Sequence, residues 1–295
     1  MKRCYVLVVC VSLIVMAIPA QLFAQAPAAA GEFDKGWTSY ASFEGTSNSD
    51  GQVMQLNSSV GYNFSKMWGV DGGVPIYFVH NSVNPQGFQT SNNGLGDMFA
   101  DLRFKLDGHA VNYASTLTGT APTGDSNKGL STGRATIDWS NRFDHHFDSF
   151  TPFVVAGLGN TSPQQRFFHR PYMTLGFMSH FEGGATYDIG KFVSVGASGY
   201  YLLPGGTQKV YSRLFKQGTL GFGPGGHGRF WEVFPFVTGP SDIAKDNGLS
   251  TWVDVTPTKV VDLEAGYSRS TQFDLNSFSF GIGFNIGEMF KHVNR

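Results

Sequence analysis

The chain has 295 residues, a formal net charge of −1 and two cysteines. Near-zero charge without a basic stripe argues against a nucleic-acid partner. Because Cys4 and Cys10 both fall in the opening apolar run, the rest of the chain holds no thiol for a disulfide, a zinc cluster or a nucleophile. Glycine supplies 38 residues, against an ordinary share of about 7%, and aromatics reach 15% while charged residues are also only 15%.

The N-terminus reads as a secretory signal. Lys2 and Arg3 form a basic start, Cys4 to Ala20 is uninterrupted and apolar, and Leu22-Phe23-Ala24 offers a small-residue cleavage site before Gln25. The run is short for a transmembrane helix of about 20 residues, and no later apolar run approaches that length. Residues 1–24 are therefore expected to be removed, with 25–36 a short Ala/Pro-rich linker.

From there one pattern repeats: segments of alternating apolar and polar residues separated by turn-like clusters. In 53–64, Met54, Leu56, Val60, Tyr62 and Phe64 share one face while Gln55, Asn57, Ser59 and Asn63 share the other. A period of two means a strand. Twelve such segments are expected, at 37–45, 52–64, 68–79, 95–106, 111–122, 133–143, 150–159, 172–188, 191–203, 250–256, 259–269 and 276–287. Their connectors alternate between longer polar loops, beginning with Thr46–Gly51, and tight turns, beginning with Ser65–Met67. Pro204 to Leu249 is the longest connector. Short turns on the periplasmic side and longer loops outside are the habit of outer-membrane barrels. Trp37, Phe64, Trp68, Phe104, Tyr113, Phe143, Phe150, Tyr187, Phe192 and Phe284 gather near the tight-turn side, where an interfacial aromatic girdle belongs.

The last strand places Phe278, Phe280, Ile282, Phe284 and Ile286 on one face, and Ser279 to Ile286 resembles the C-terminal signature read by the barrel-assembly machinery. Residues 291–295 then form a periplasmic tail. A closed barrel is the β architecture that satisfies every backbone group in a bilayer. The fold class is thus all-β: a transmembrane, antiparallel, up-and-down β-barrel of about twelve strands over 37–290, in the outer membrane and in contact with its lipid.

Alternation assigns the interior. Asp97, Phe99, Asp101, Arg103 and Lys105 point inward opposite Met98, Ala100, Leu102 and Phe104. Ala114, Thr116, Thr118 and Thr120 follow, then Arg134, Thr136, Asp138, Ser140 and Arg142, and near the end Asp262 and Glu264. Charges on the lipid face would cost about 2–4 kcal/mol each near the midplane. The inward charges fit either a salt-bridge network that stiffens the wall or a constriction of mixed sign, without strong ion preference.

The stretch from Asn93 to Phe143 carries Gly94-Leu95-Gly96-Asp97, Pro122-Thr123-Gly124-Asp125 and Leu130-Ser131-Thr132-Gly133. It resembles the family named for the MetA pathway of phenol degradation. The resemblance implies an outer-membrane transporter for small molecules, aromatic ones among them, with no catalytic residues to carry over. On the residues themselves, Pro122 to Asp125 suits a strand-ending turn.

Enzyme constellations are weak. His180 and Glu182 both face inward but lack a serine–asparagine companion, and Asp144-His145-His146 falls in a turn where neighbouring histidines diverge. The glycine-rich 221–228 has no following Lys-Ser or helix. The long connector, 204–249, mixes basic and aromatic residues and is expected to fold over the mouth as a lid through Phe230, Trp231, Phe234 and Phe236. The expected function is a passive channel for small organic solutes, with no catalytic, metal or cofactor site. A membrane-embedded enzyme, a pore-less structural barrel and a soluble β-sandwich are the alternatives.

Overall fold

Strands form wherever the period of two runs unbroken, and they pair in chain order. The computed structural model describes residues 35–81, 91–163, 169–214 and 235–293; the expected signal, most of the linker, and Phe230, Trp231 and Phe234 lie outside them. The wall consists of β1 (Gly36–Asn48), β2 (Gly51–Asn63), β3 (Trp68–Gly73) continued by β4 (Ile76–Asn81), β5 (Ser91–Leu95) continued by β6 (Met98–Leu106), β7 (Asn112–Ala121), β8 (Thr136–Asp144) and β9 (Phe150–Gly159). A short β10 (Tyr172–Leu175) precedes β11 (Met178–Ile189), and β12 (Val193–Pro204) is followed by β13 (Gln208–Ser212) and β14 (Phe236–Gly239). The wall ends with β15 (Asp246–Val255), β16 (Val261–Ser270) and β17 (Leu275–Asn285), and α1 (Ile286–Val293) follows.

Each wall strand is antiparallel to its neighbours, and β1 pairs with both β2 and β17, so the sheet closes. Counting β3/β4 and β5/β6 as single interrupted strands gives twelve. Full closure leaves no free edge along the barrel seam.

Burial runs opposite to that of a soluble protein. On β2, Val53, Gln55, Asn57 and Ser59 are buried while Val60 is exposed, and on β17 Ser277 and Ser279 are buried while Phe278 and Phe280 are exposed. Outward Leu102, Ile137, Trp139 and Val154 continue the apolar exterior. The exterior is what hydrocarbon would solvate; the interior is mostly polar.

The two ends differ. One carries both termini of the wall and the turns 64–67, 107–111, 145–149, 190–192 and 256–260. The expected girdle lies here: Trp68 packs on Phe104 (ring centroids 4.7 Å), Phe104 on Tyr113 (6.0 Å) and Tyr113 on Phe143 (5.0 Å). The other end carries the longer connectors, with one correction. Thr46–Gly51 is not a longer loop: the strands run to Asn48 and resume at Gly51 because the Asn48 side-chain oxygen Oδ1 accepts from the Asp50 and Gly51 amides, at 2.9 and 3.2 Å. Beyond β17 the chain turns into α1, which takes in 291–293 and whose Glu288 amide donates to Asn285 Oδ1.

The expected single strand 172–188 is two strands in two sheets. At Gly176-Phe177 the chain leaves the wall, and β10, β13 and β14 form a separate three-stranded sheet. It lies across the loop end. One apolar cluster joins its Tyr172 and Val210 with inward residues of several wall strands: Val53, Tyr77, Val79, Leu202 and Leu275.

Candidate functional site

The interior has a polar middle and an apolar loop end. In the middle, strand register sets Asp71, Asp101, Thr118 and Asp138 side by side on β3, β6, β7 and β8. Arg103 Nε donates to Asp71 Oδ1 at 2.9 Å and its Nη2 to Asn63 Oδ1 at 3.2 Å; the Thr118 hydroxyl donates to Asp101 at 2.5 Å. His180 Nε2 lies 3.1 Å from Asp138 Oδ1, reaching across β9 from β11. That reach needs Gly157 and Gly159: a Cβ at the first would overlap the His180 ring, and one at the second the Asp138 carboxylate.

Toward the turn end, Lys105 sits 3.8 Å from Asp107, and Arg142 Nε donates to Asp144 at 3.0 Å. The Arg142 guanidinium also lies 4.0 Å from the Phe153 ring centroid, and Phe153 faces Trp252 at 6.4 Å. Glu264 lies against Gly281 on the inner face of β17, and Asp262 accepts from Thr256 at 3.3 Å. The wall of β1, β15, β16 and β17 also carries small hydroxyls, such as Ser250 and Ser268, 2.7 Å apart.

Of the residues assigned inward from sequence, Asp97, Asp101, Arg103, Lys105, Asp138, Arg142, Asp262 and Glu264 stand on the inner face. Arg134 does not. The strand starts at Thr136, and Arg134 is exposed in the connector before it, its carbonyl accepting from the Thr132 hydroxyl. Phe236 is exposed on β14, its ring 6.2 Å from Tyr211.

Two of the three glycine-containing motifs, Gly94 to Asp97 and Pro122 to Asp125, look separate in sequence and meet in space. Thr123 Oγ1 accepts from the Met98 amide at 2.8 Å and donates to the Gly96 carbonyl at 3.0 Å, and the Gly124 amide donates to Asp97 Oδ1 at 3.1 Å. This latch holds a bulge. Leu95 and Met98 both face out while Gly96 and Asp97 are both buried, so alternation slips by one residue and Asp97 is turned inward.

At the loop end, Asp246 is the tie point. It accepts from Ser270 (2.6 Å), Tyr200 (3.2 Å) and Tyr172 (3.5 Å), and Arg170 Nε stands 3.7 Å away. Burial pushes the Tyr172 hydroxyl well above its ordinary range, which keeps it a donor. Arg213 donates to the Arg170 carbonyl at 2.9 Å and stacks over Tyr77 at 4.9 Å, and His169 Nε2 faces Glu44 at 3.4 Å. Gln208 Nε2 ties both chain breaks, donating to the Phe177 and Gly205 carbonyls at 2.9 Å each. These residues escaped sequence reasoning because their partners are remote in the chain. Between this cap and the polar middle a cavity leaves about 130 Å3 open to the centres of water molecules.

A closed, inside-out, twelve-stranded antiparallel barrel is the architecture of outer-membrane β-barrels. The chain is similar in structure to the COG4313 outer membrane channel from Pseudomonas putida F1, with a TM-score of 0.56 and 11% identity over 88% of this chain and 98% of that one. A looser likeness links it to the KdgM porin in complex with disordered oligogalacturonate (TM-score 0.48, 8% identity, 83% of this chain and 98% of that one) and to the NanC porin (0.46, 8%, 83% and 99%). No protein-family model matches the chain, and no curated relative matches it.

Proposed function

We propose that this barrel is an outer-membrane channel through which small organic molecules pass passively, with the loop-end sheet as its gate. The observation that carries the reading is the enclosed polar interior, whose charges and hydroxyls offer a solute replacements for water across an apolar exterior. Asp97, Asp101, Arg103, Lys105, Asp138 and Arg142 line the path, with Asp262 and Glu264 nearer the turn end. Aromatic solutes fit the inward rings of Phe99, Phe153 and Trp252 and the motif resemblance to the phenol-degradation family. Export by the N-terminal signal and assembly through the β17 pattern complete the reading.

The apolar core at the loop end favours one second reading, a barrel that does not conduct. Planar-bilayer recording separates the two. The intact chain should give small or infrequent openings, and replacing 208–239 by a short Gly/Ser linker should raise single-channel conductance severalfold. No conductance from either form would leave the structural barrel.

A further inference from the structure

We propose that the cavity beneath the loop-end sheet is a binding site for an organic ammonium, with Asp97, Glu182 and Phe99 as its recognition elements. The proposal rests on the reading of the interior as a solute path and names the class of solute.

The bulge at Gly96-Asp97 puts Asp97, Phe99 and Asp101 on one inward face of the β5/β6 strand, acid, ring and acid in succession. Asp97 is only 7% exposed, and while its Oδ1 is fixed by the Gly124 amide, its Oδ2 is buried with no hydrogen-bond partner. A buried carboxylate oxygen left unmatched is costly; at the wall of a cavity it is a vacancy for a donor. From β11, Glu182 lines the same cavity two residues beyond His180, and among the described residues it has no ion pair or hydrogen bond. Hydroxyls of Thr116, Thr118 and Thr120 fill the wall between.

Of the cations on the cavity lining, His169 faces Glu44, Arg170 faces Asp246 and His180 faces Asp138, while Arg213 is held by two neutral groups, the Tyr77 hydroxyl and the Arg170 carbonyl. Four carboxylates, Asp97, Asp101, Asp138 and Glu182, line the same cavity against the two arginines, so the balance of charge is negative. The described residues include no group of three or more His, Asp or Glu placed to hold a metal ion. An ammonium suits the site better: its three donors are directional and its charge can rest against the Phe99 face.

The test uses the full chain, folded in detergent, and three probes that share a phenyl ring: phenethylammonium, neutral 2-phenylethanol and phenylacetate. Calorimetry should show phenethylammonium binding at least tenfold more tightly than the other two. Asp97→Asn keeps an acceptor for Gly124, and Glu182→Gln disturbs no partner, so both should fold, as heat-modifiable gel mobility would verify. Each should weaken phenethylammonium by roughly tenfold or more, the worth of one charge-assisted hydrogen bond, and leave 2-phenylethanol unchanged. Equal or tighter binding of phenylacetate, calcium binding that replaces the amine, or a Glu182→Gln variant with unaltered affinity would overturn the assignment. Conductance without amine preference sinks the ligand class alone; amine binding without conductance sinks the channel alone.

Discussion

The two halves of the barrel interior are built on different physics. At the loop end, Val53, Val79, Leu202 and Val210 pack with almost no exposure, as in the core of a water-soluble protein. In the middle, the same wall strands present Asp71, Asp101, Arg103 and Asp138, whose positions are fixed by paired charges and strand register. On β2 the change happens within two residues, from Val53 to Gln55. One closed sheet can therefore house both a dry seal and a wet chamber, because inward side chains are free of the lipid constraint that rules the outward ones.

Breaking the middle should have the largest effect. Arg103→Met leaves the buried Asp71 carboxylate without its cation and should cost about 3–5 kcal/mol, whereas pairing it with Asp71→Leu should restore most of that loss. Urea titration in phospholipid vesicles measures both, and a double variant as weak as the single would refute the ion-pair account. At the loop end, Leu202→Ala should cost about 2–5 kcal/mol through the cavity it opens. Because that energy belongs to the seal, the same variant should also hasten tryptic cleavage after Lys209 and Arg213; unchanged cleavage would separate the core from the cap. The smallest effect belongs to the exterior. Trp139→Phe removes the indole donor to Ser115, 2.9 Å away, and should cost only about 0.5–1.5 kcal/mol in the same titration.

The wall was legible because a bilayer penalises any break in alternation. The segments 150–159 and 111–122 differ from β9 and β7 by at most a residue at each end, and the inward set from Asp97 to Lys105 follows directly. What stayed hidden depends on contacts remote in sequence. The alternation of 172–188 continues smoothly through Gly176, so nothing local distinguishes β10 from β11; the separation comes from pairing with β13 and from Gln208. Arg134 was misplaced because the strand begins later than its alternation suggests, the chain ahead of it being drawn inward at Leu130, Ser131 and Thr132. Alternation alone points Asp97 inward, but the latch that aims it needs Gly124, far along the chain.

The loop-end sheet is spun from the same ribbon as the wall, since β10 runs into β11 and β12 into β13 through Gly176-Phe177 and Gly205-Gly206. If this sheet is the gate proposed above, its closure is an intramolecular equilibrium, set by an effective concentration that dilution does not change. A gate tethered at both shoulders would swing aside and fall back; it could not drift away or be carried off by a rival.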